Sequence, residues 1–321
     1  MKKLVIDQYD DHQRIDKYLK KVLVQAPSSL IYKMLRKKDV KVNGHWVNID
    51  YILKKDDVLR IYVTDSQLLE FNKPKPIENV KFNHEIIYED ENILIVNKPR
   101  GLLVHGDSNE KRLTLSNQVL NYLYSKGEYN PKDNYGFVPA PAHRIDRNTS
   151  GLVIFGKTIK ALQILLDLFK DKDNLEKTYL ALVVGHVDKV GDINAPLIKD
   201  ENSGLVKVDF HSKNSKQAIS HYEVERYFAN YSLVNVTILT GRTHQIRVHM
   251  NYIGHPVVGD GKYGDFKVNK IFKSEYNFEN QFLHARRIHF LEIPGVLSYL
   301  SNKTFVAKLT REEEKIINNL K

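Results

Sequence analysis

The sequence predicts an α+β protein with a small N-terminal domain and a larger domain built on a mixed or antiparallel sheet. Its 321 residues exceed what one small core needs and suit two domains. Strand-like and helix-like segments follow one another without the regular alternation that is typical of a parallel sheet. A lysine- and proline-rich stretch at residues 73–76 separates two apolar patterns.

The N-terminal domain, predicted over residues 12–63, begins with two short helices. Apolar residues recur at helical spacing over 14–24 and again over 30–35. Pro27 interrupts the two stripes, and the serines that follow it offer a helix cap. We therefore expect a helical pair that buries one face against the strands that follow.

A hairpin and a basic cluster follow the second helix. Asn43-Gly44 lies between alternating apolar residues, which indicates a tight turn, and residues 58–63 form a further predicted strand. Residues 1–63 contain 14 Lys and Arg against 8 Asp and Glu, a net charge of +6 out of +10 for the chain. Such a basic block suits a polyanion. We expect nucleic-acid phosphates to bind where the helix meets the hairpin, at Lys33, Arg36, Lys37, Lys38 and Lys41. The alternative from charge alone is a solvated lysine-rich face.

A linker is predicted over residues 64–83, and the larger domain over 84–310. Thr310 and Glu313 have the spacing of a capping box, which predicts a C-terminal helix over 311–321. Within the larger domain, helices are predicted at 114–126 and 158–170, and strands at 86–88, 93–96, 177–184, 221–228, 231–239 and 303–309.

Residues 151–158 match the letters of the phosphate-loop pattern, but we reject a nucleotide triphosphate site there. A phosphate loop follows a strand and exposes backbone amides through small residues. Here the residues between the two glycines are large and apolar, and those before Gly151 are polar. The segment is therefore predicted to be a strand itself.

The composition excludes several classes of site. The chain has no cysteine, which excludes disulfides, thiolate metal centres and a cysteine nucleophile. Its 13 histidines include no HExxH pair, and His244 and His249 are poorly spaced for shared ligation, so we expect no metal site. No run of eighteen apolar residues occurs, and no secretory signal is evident. We expect a cytoplasmic monomer with no membrane partner.

The loop over residues 143–150 is dense in hydrogen-bonding side chains and immediately precedes the predicted strand at 151. Such a loop beside a core strand is an expected place for a functional site. Asp146 lies between Arg144 and Arg147, and cationic neighbours suit a carboxylate that acts as a nucleophile or base. The alternative from the residues alone is a salt-bridged surface turn.

The segment "HRIDRNTSG" resembles the central motif of the RluA family of RNA pseudouridine synthases, whose usual form is "HRLDxxTSG". Ile145 for the usual leucine conserves volume. The resemblance implies that Asp146 is the catalytic residue. It also implies that Arg144, together with its neighbour His143, helps to extrude the target base from the RNA stack.

Further segments resemble the family's motifs in order and span nearly all of residues 85–310. They are "NKPRGLLVHG", "EKTYLALVVG", "LTGRTHQIRVHM", "GHPVVGDGKYGD" and "FLHARRIHF". The resemblance implies that Tyr179 is an active-site tyrosine and that Arg247 holds the catalytic aspartate, with apolar Val248 beside it at the substrate. Independently, His244 and Arg247 are three residues apart on a predicted helix that Thr243 can cap, so they share a face.

The N-terminal segments "RIDKYL" and "SSLIYKMLRKKDVKVNG" resemble the alpha-L RNA-binding module known from ribosomal protein S-four. With this module, the chain is most similar to the RluC branch of the family, which modifies large-subunit ribosomal RNA. Isomerisation of uridine to pseudouridine in that RNA is therefore the expected function. We expect it to need no cofactor, because the reaction only rearranges atoms. Two alternatives stay open: a transfer-RNA pseudouridine synthase, and a non-catalytic RNA-binding or ribosome-assembly protein.

Overall fold

The computed structural model describes residues 1–7, 10–23, 25–71, 76–131, 137–170, 174–201 and 203–321. They form two compact units, described separately below. Residues 1–78 and 123–138 make up the smaller unit, and residues 79–122 and 139–321 make up the larger one. The smaller unit is thus discontinuous in sequence. Sequence composition suggested a contiguous N-terminal domain because a shift in composition cannot reveal that a later segment joins it.

The described part of residues 1–78 contains β1 (Lys2–Val5), α1 (Ile15–Val22), α2 (Ser28–Arg36), β2 (Val40–Val42), β3 (His45–Trp46), β4 (Val58–Ile61) and α3 (Asp65–Phe71). The four strands form an antiparallel sheet in the order β1-β4-β2-β3. Leu19 of α1 and Ile31 of α2 are fully buried against Val40 and Leu59 of the sheet. The two predicted helices, the hairpin and the strand after it are confirmed.

The hairpin turn at Asn43-Gly44 has φ values of 51° and 86°, which a two-residue hairpin loop needs at both positions. Two details differ from expectation. Helix α2 has Pro27 at its N-cap, and no side chain caps it. The predicted linker begins with helix α3, whose Phe71 is buried in the N-terminal core. Residues 72–75, the centre of that linker, lie outside the described residues.

The larger unit is built on a ten-stranded mixed sheet. Its main path is β10-β13-β14-β9-β15-β8-β6-β5, with β16 paired to β15 and β7 paired to β8. The strands are β5 (Glu85–Glu89), β6 (Ile93–Lys98), β7 (Ala140–Pro141), β8 (Ser150–Gly156), β9 (Leu175–Val184), β10 (Val190–Asn194), β13 (Ile219–Tyr227), β14 (Tyr231–Ile238), β15 (Leu283–Phe290) and β16 (Thr304–Val306). Only the β8–β15 pair is parallel among those described, so the predicted mixed sheet is confirmed.

The remaining elements from residue 79 onward are a second sheet and the helices. A separate two-stranded sheet pairs β11 with β12. These elements are β11 (Leu197–Lys199), β12 (Val206–Val208), α4 (Leu115–Ser125), α5 (Ile159–Lys170), α6 (Gln245–Tyr252), α7 (Phe266–Tyr276), a 3₁₀ helix (Gly295–Leu300) and α8 (Arg311–Asn319). Helices were predicted close to α4, α5, α6 and α8, whereas α7 and the central strand β15 were missed. Strand β15 carries two arginines and two histidines, which obscure its alternation.

Strand β8 confirms that residues 151–156 are not a phosphate loop. Its first residues pair with β15, Ser150 opposite His284 and Gly151 opposite Ala285. Gly151 has a φ of 110°, and a Cβ there would lie 2.2 Å from the Ala285 carbonyl oxygen. Only glycine therefore allows the start of β8 to pair with β15 in the middle of the sheet.

The C-terminal helix has the predicted capping box. The Thr310 side chain accepts a hydrogen bond from the Glu313 N–H, and the Glu313 carboxylate accepts one from the Thr310 N–H. Among the described residues, no helix is long and apolar enough to cross a membrane.

Candidate active site

The loop of residues 142–149 carries Asp146 and is held by hydrogen bonds within the larger unit. Its last residue, Thr149, donates its N–H to the Asp146 carbonyl at 3.1 Å, which closes a turn around Asp146. On the side of β6, the Lys98 ammonium donates to the Arg147 carbonyl at 3.0 Å. The Asp146 carboxylate is left about one-third exposed at 31%. A reacting group can therefore reach it.

Arg247 on helix α6 binds two carboxylates at once. Its Nη1 donates to Asp146 Oδ2 at 3.0 Å, while Nε and Nη2 donate to the two Asp260 oxygens at 2.6 and 2.8 Å. Asp260 is fully buried and Arg247 is 5% exposed. Despite burial, these bonds lower the pKa of Asp260 and raise that of Arg247. The bidentate pair fixes the guanidinium plane and so aims the third bond at Asp146.

His244 precedes α6 and also faces Asp146. Its Nε2 lies 3.9 Å from Asp146 Oδ2, which bears out the prediction that His244 and Arg247 share a face. The predicted capping role of Thr243 is wrong. His244 itself occupies the N-cap in a left-handed conformation with φ of 53°, and its side chain makes no capping bond. Its side chain is turned to Tyr263 instead.

The Tyr263 hydroxyl contacts the other ring nitrogen of His244. The Tyr263 hydroxyl accepts the Val206 N–H at 2.9 Å and lies 2.8 Å from His244 Nδ1. The hydroxyl can donate its proton to Nδ1, and in that tautomer the imidazole proton lies on Nε2, toward Asp146. Burial lowers the pKa of His244, although the Asp146 charge acts in the opposite direction.

These groups line an open cavity of about 410 Å³. Small-molecule sites typically have roughly 300–1,000 Å³, so one nucleobase fits. The lining residues are Arg144, Ile145, Asp146, Thr149, Tyr179, Lys199, Ile238, Gly241, Arg242, Thr243, His244, Gln245, Ile246, Arg247 and Leu283.

Tyr179 reaches the cavity from β9, the strand between β14 and β15. Burial, with a smaller contribution from the Asp146 charge, raises the pKa of its hydroxyl. The hydroxyl therefore keeps its proton, and the ring offers an apolar face to a planar ligand. Arg144 is exposed and also lines the cavity.

His143 and Val248 are not brought to this cavity. The His143 ring stacks on Phe169 with centroids 4.2 Å apart, and its Nε2 accepts the Ile154 N–H at 3.2 Å. Burial lowers the pKa of His143 to about 3. Val248 packs with Leu197 and other apolar residues instead. Both follow from local geometry, because neighbours of a site residue on a loop or helix point in other directions.

Lys98 is a member of the site that pattern analysis missed. It is fully buried at the end of β6, and its ammonium donates to three carbonyls, those of Pro99, Leu102 and Arg147, at 2.9, 2.7 and 3.0 Å. Burial lowers its pKa to about 7, although the Asp146 charge opposes this shift. The sequence feature that could have pointed to Lys98 is its position as a lysine at the end of the apolar strand β6.

Asp260, Tyr263 and Lys199 were also missed. Asp260 and Tyr263 lie in "GDGKYGD", which sequence analysis placed only among the closing motifs, and Lys199 ends β11. Asp260 bonds to Arg247, 13 residues away, and Tyr263 contacts His244, 19 residues away, so the short spacings within a helix or turn could not pair them. Among the described residues, no cluster of His, Asp and Glu could hold a metal ion.

The N-terminal cations lie in the smaller unit and are described there. Lys33, Arg36, Lys37 and Lys38 are exposed, and Lys41 is half-buried on β2. Lys38 and Lys41 also contact Trp46, with their ammonium groups 4.2 and 5.5 Å from its ring centroid.

The chain is similar in sequence to known proteins. Residues 92–252 match the protein family described as RNA pseudouridylate synthase. The chain is 36% identical over 292 residues to ribosomal large subunit pseudouridine synthase C of Vibrio cholerae, covering 89% of this chain and 87% of that protein. It is 35% identical over 311 residues to an uncharacterized RNA pseudouridine synthase of Mycoplasma capricolum, covering 95% of this chain and 97% of that protein.

A solved structure has the same fold. Human RNA pseudouridylate synthase domain containing 4 superposes with a TM-score of 0.57 at 22% identity, covering 74% of this chain and 93% of that chain.

Proposed function

The chain belongs to the RNA pseudouridylate synthase family, and we propose that it converts specific uridines of large-subunit ribosomal RNA to pseudouridine. The named relative from Vibrio cholerae, and further relatives from other bacteria at 34–36% identity, are ribosomal large subunit synthases. A net charge of +10 suits an RNA substrate. Action on ribosomal RNA would place the protein in the cytoplasm, and a monomer remains our expectation.

One observation carries the assignment of the chemistry. The accessible Asp146 carboxylate is bound by an arginine that a second, buried carboxylate holds in a bidentate pair. This arrangement presents a single charged carboxylate to a cavity of nucleobase size. A glycosidase would present two carboxylates on either side of the bond instead, and Asp260 faces away, bound to Arg247.

The reaction rearranges atoms within one nucleotide. The bond between ribose C1′ and uracil N1 breaks, the uracil rotates, and C1′ bonds to C5. The proton on C5 is lost and N1 ends with a proton, so the atoms balance without an oxidant, a reductant or a co-substrate. In the proposed mechanism Asp146 acts either by attack or by proton removal.

The remaining residues hold the substrate. The uridine must first leave its stack, at a cost of about a few kcal/mol. We assign Arg144 to the gap that the base leaves, since it is exposed at the cavity, and Tyr179 to stacking on the extruded uracil. His244 would donate a hydrogen bond from Nε2 to an oxygen of the nucleotide beside Asp146.

Mapping of pseudouridine in cells tests the proposal. Ribosomal and transfer RNA from cells with and without the gene are compared at nucleotide resolution. We expect one or a few large-subunit pseudouridines to disappear with the gene and to return with the wild-type chain. Loss confined to transfer RNA would refute the ribosomal substrate, and unchanged RNA in both pools would refute the function.

A further inference from the structure

The sheet of the smaller unit buries one face and exposes the other. Val40 and Val42 of β2 and Leu59 and Ile61 of β4 point into the core. On the opposite face, the strand register places four side chains directly opposite one another across β1, β4, β2 and β3: Lys3, Arg60, Lys41 and Trp46. Directly opposed residues share a face, so they form one row across the whole sheet.

Three adjacent positions of this row are cationic. Like charges directly opposite each other in a sheet destabilise it, because they repel at short distance. Within the part of the chain that the structure describes, Lys3, Arg60 and Lys41 have no carboxylate partner. Lys3 and Arg60 are exposed, so their charges are available to solvent. The repulsion within this row destabilises the fold in the absence of a ligand, and a bound anion would relieve it.

The fourth position is aromatic, and a second aromatic residue lies beside the row. Trp46 is 57% exposed, although tryptophan usually buries most of its surface. Tyr62, two residues beyond Arg60, is 41% exposed, and the Lys41 ammonium lies 5.5 Å from its ring centroid. Lys38 lies 4.2 Å from the Trp46 centroid. Cations next to open aromatic faces are the combination that binds single-stranded nucleic acid.

We propose that this face binds single-stranded RNA, with an unpaired base stacked on Trp46 and the phosphates that follow it bound by Lys41, Arg60 and Lys3. The proposal rests on the proposed function in that RNA is the substrate. It adds a contact site to the expected cluster on α2, because it uses the open sheet face and an aromatic ring.

Trp46 is the only tryptophan in the chain, so its fluorescence reports on this face alone. Full-length protein is titrated with a short oligoadenylate RNA, which contains no uridine for the active site. Base stacking should quench the emission in a saturable manner, and the same quenching is expected in Asp146→Asn. Emission that RNA leaves unchanged would overturn the proposal and would leave the catalytic assignment untouched.

Variants separate stacking from charge, with binding measured by anisotropy of dye-labelled oligoadenylate. Trp46→Leu should raise Kd about 5- to 150-fold, which corresponds to about 1–3 kcal/mol for one stacked base. Trp46→Phe keeps an aromatic face and should lie much closer to wild type. Equal Kd values for Trp46→Leu and wild type, at unchanged thermal stability, would contradict the proposal.

A charge-matched pair tests the cationic row. Lys41→Gln should weaken binding and lower the salt slope of log Kd by about 0.7, the value for one phosphate bound on a single strand. Lys17→Gln removes the same charge from an exposed position on α1 and should leave the slope unchanged. Equal slopes for the two variants would mean that the row binds no phosphate.

Discussion

Arg247 has two carboxylate partners, and only Asp146 faces the cavity. A lysine at this position would keep the charge but could not bind Asp260 in a bidentate pair and Asp146 at the same time. The aspartate would then lose its fixed position. Small misplacements of a reacting group cost rate far more than binding.

We therefore predict that Arg247→Lys lowers the turnover rate about 100-fold and leaves RNA affinity nearly unchanged. Single-turnover rates and Kd are measured on the same RNA. Arg242→Lys is the control, since Arg242 lines the same cavity but donates to the Gln217 carbonyl and not to Asp146. If Arg247→Lys turns over normally and only weakens binding, Arg247 is a phosphate contact.

Lys98 holds the loop that carries Asp146 through a hydrogen bond to the Arg147 carbonyl. Lys98→Met leaves three part-buried carbonyls without their donor, and we predict a loss of about 1–3 kcal/mol in the free energy of unfolding at neutral pH. Denaturant titrations of both proteins measure it. A variant as stable as wild type would show that the three bonds contribute nothing net.

The pH dependence of this difference has a definite sign. The pKa of Lys98 is about 7 in the folded protein and about 10.4 in an unfolded chain. Between these values the unfolded state binds a proton that the folded state lacks, so stability rises with pH. The advantage of wild type over Lys98→Met should therefore grow from pH 7 to pH 9.5 in the denaturant titrations. An advantage that shrinks would place the folded pKa above the unfolded one.

At the scale of elements, a buried carboxylate joins helix α8 to strand β8. Glu313 is fully buried and accepts hydrogen bonds from Arg100 at 2.5 Å and from Ser150, the first residue of β8, at 2.9 Å. The same side chain completes the capping box with Thr310. The N-terminal end of α8 is therefore hydrogen-bonded to the residue at which β8 begins, directly after the loop that carries Asp146.

Glu313→Ala should cost about 3–5 kcal/mol of unfolding free energy, because it removes the fully buried partner of Arg100 and leaves that charge only the exposed Glu312. Glu312→Ala is a matched control. Glu312 is 52% exposed and lies 3.7 Å from the same arginine, so its loss should cost less than about 1 kcal/mol. Chemical denaturation compares the two, and equal losses would contradict a structural role for the buried pair.

Sequence patterns predicted the local elements better than the long-range ones. The capping box of α8 and the turn at Asn43-Gly44 depend on residues within a few positions of each other, and both were confirmed. The strand β15 was missed, although it joins β9 to β8 in the centre of the sheet, because its charged residues hide its alternation. The Arg247 pair with Asp146 spans 101 residues and was expected only through the family resemblance.

At the scale of the whole molecule, the N-terminal basic cluster and the cavity around Asp146 lie in different units. The predicted RNA-binding cations and the Trp46 face belong to residues 1–78. The residues that line the cavity around Asp146 all lie within 139–321. Segment 123–138 groups with the smaller unit. A deletion of residues 1–78 therefore leaves that segment without the rest of its unit.

We predict that the chain lacking residues 1–78 binds ribosomal RNA more weakly and with a shallower salt slope, by about 0.7–0.9 for each phosphate that the N-terminal unit neutralises. It should still modify RNA supplied at high concentration. Affinity is measured across a salt series for both proteins. An unchanged slope would show that the N-terminal unit binds no phosphates, and an insoluble product would show that the larger unit depends on it for folding.

Asp146→Asn tests the central claim most directly, because it removes the carboxylate charge at nearly constant volume. Purified wild type and variant are incubated with unmodified large-subunit ribosomal RNA, and pseudouridine is quantified together with RNA affinity. The account predicts pseudouridine formation by wild type and a loss of at least about 100-fold in the variant, with unchanged affinity. Activity of Asp146→Asn within tenfold of wild type would contradict the assignment of Asp146 as the catalytic residue.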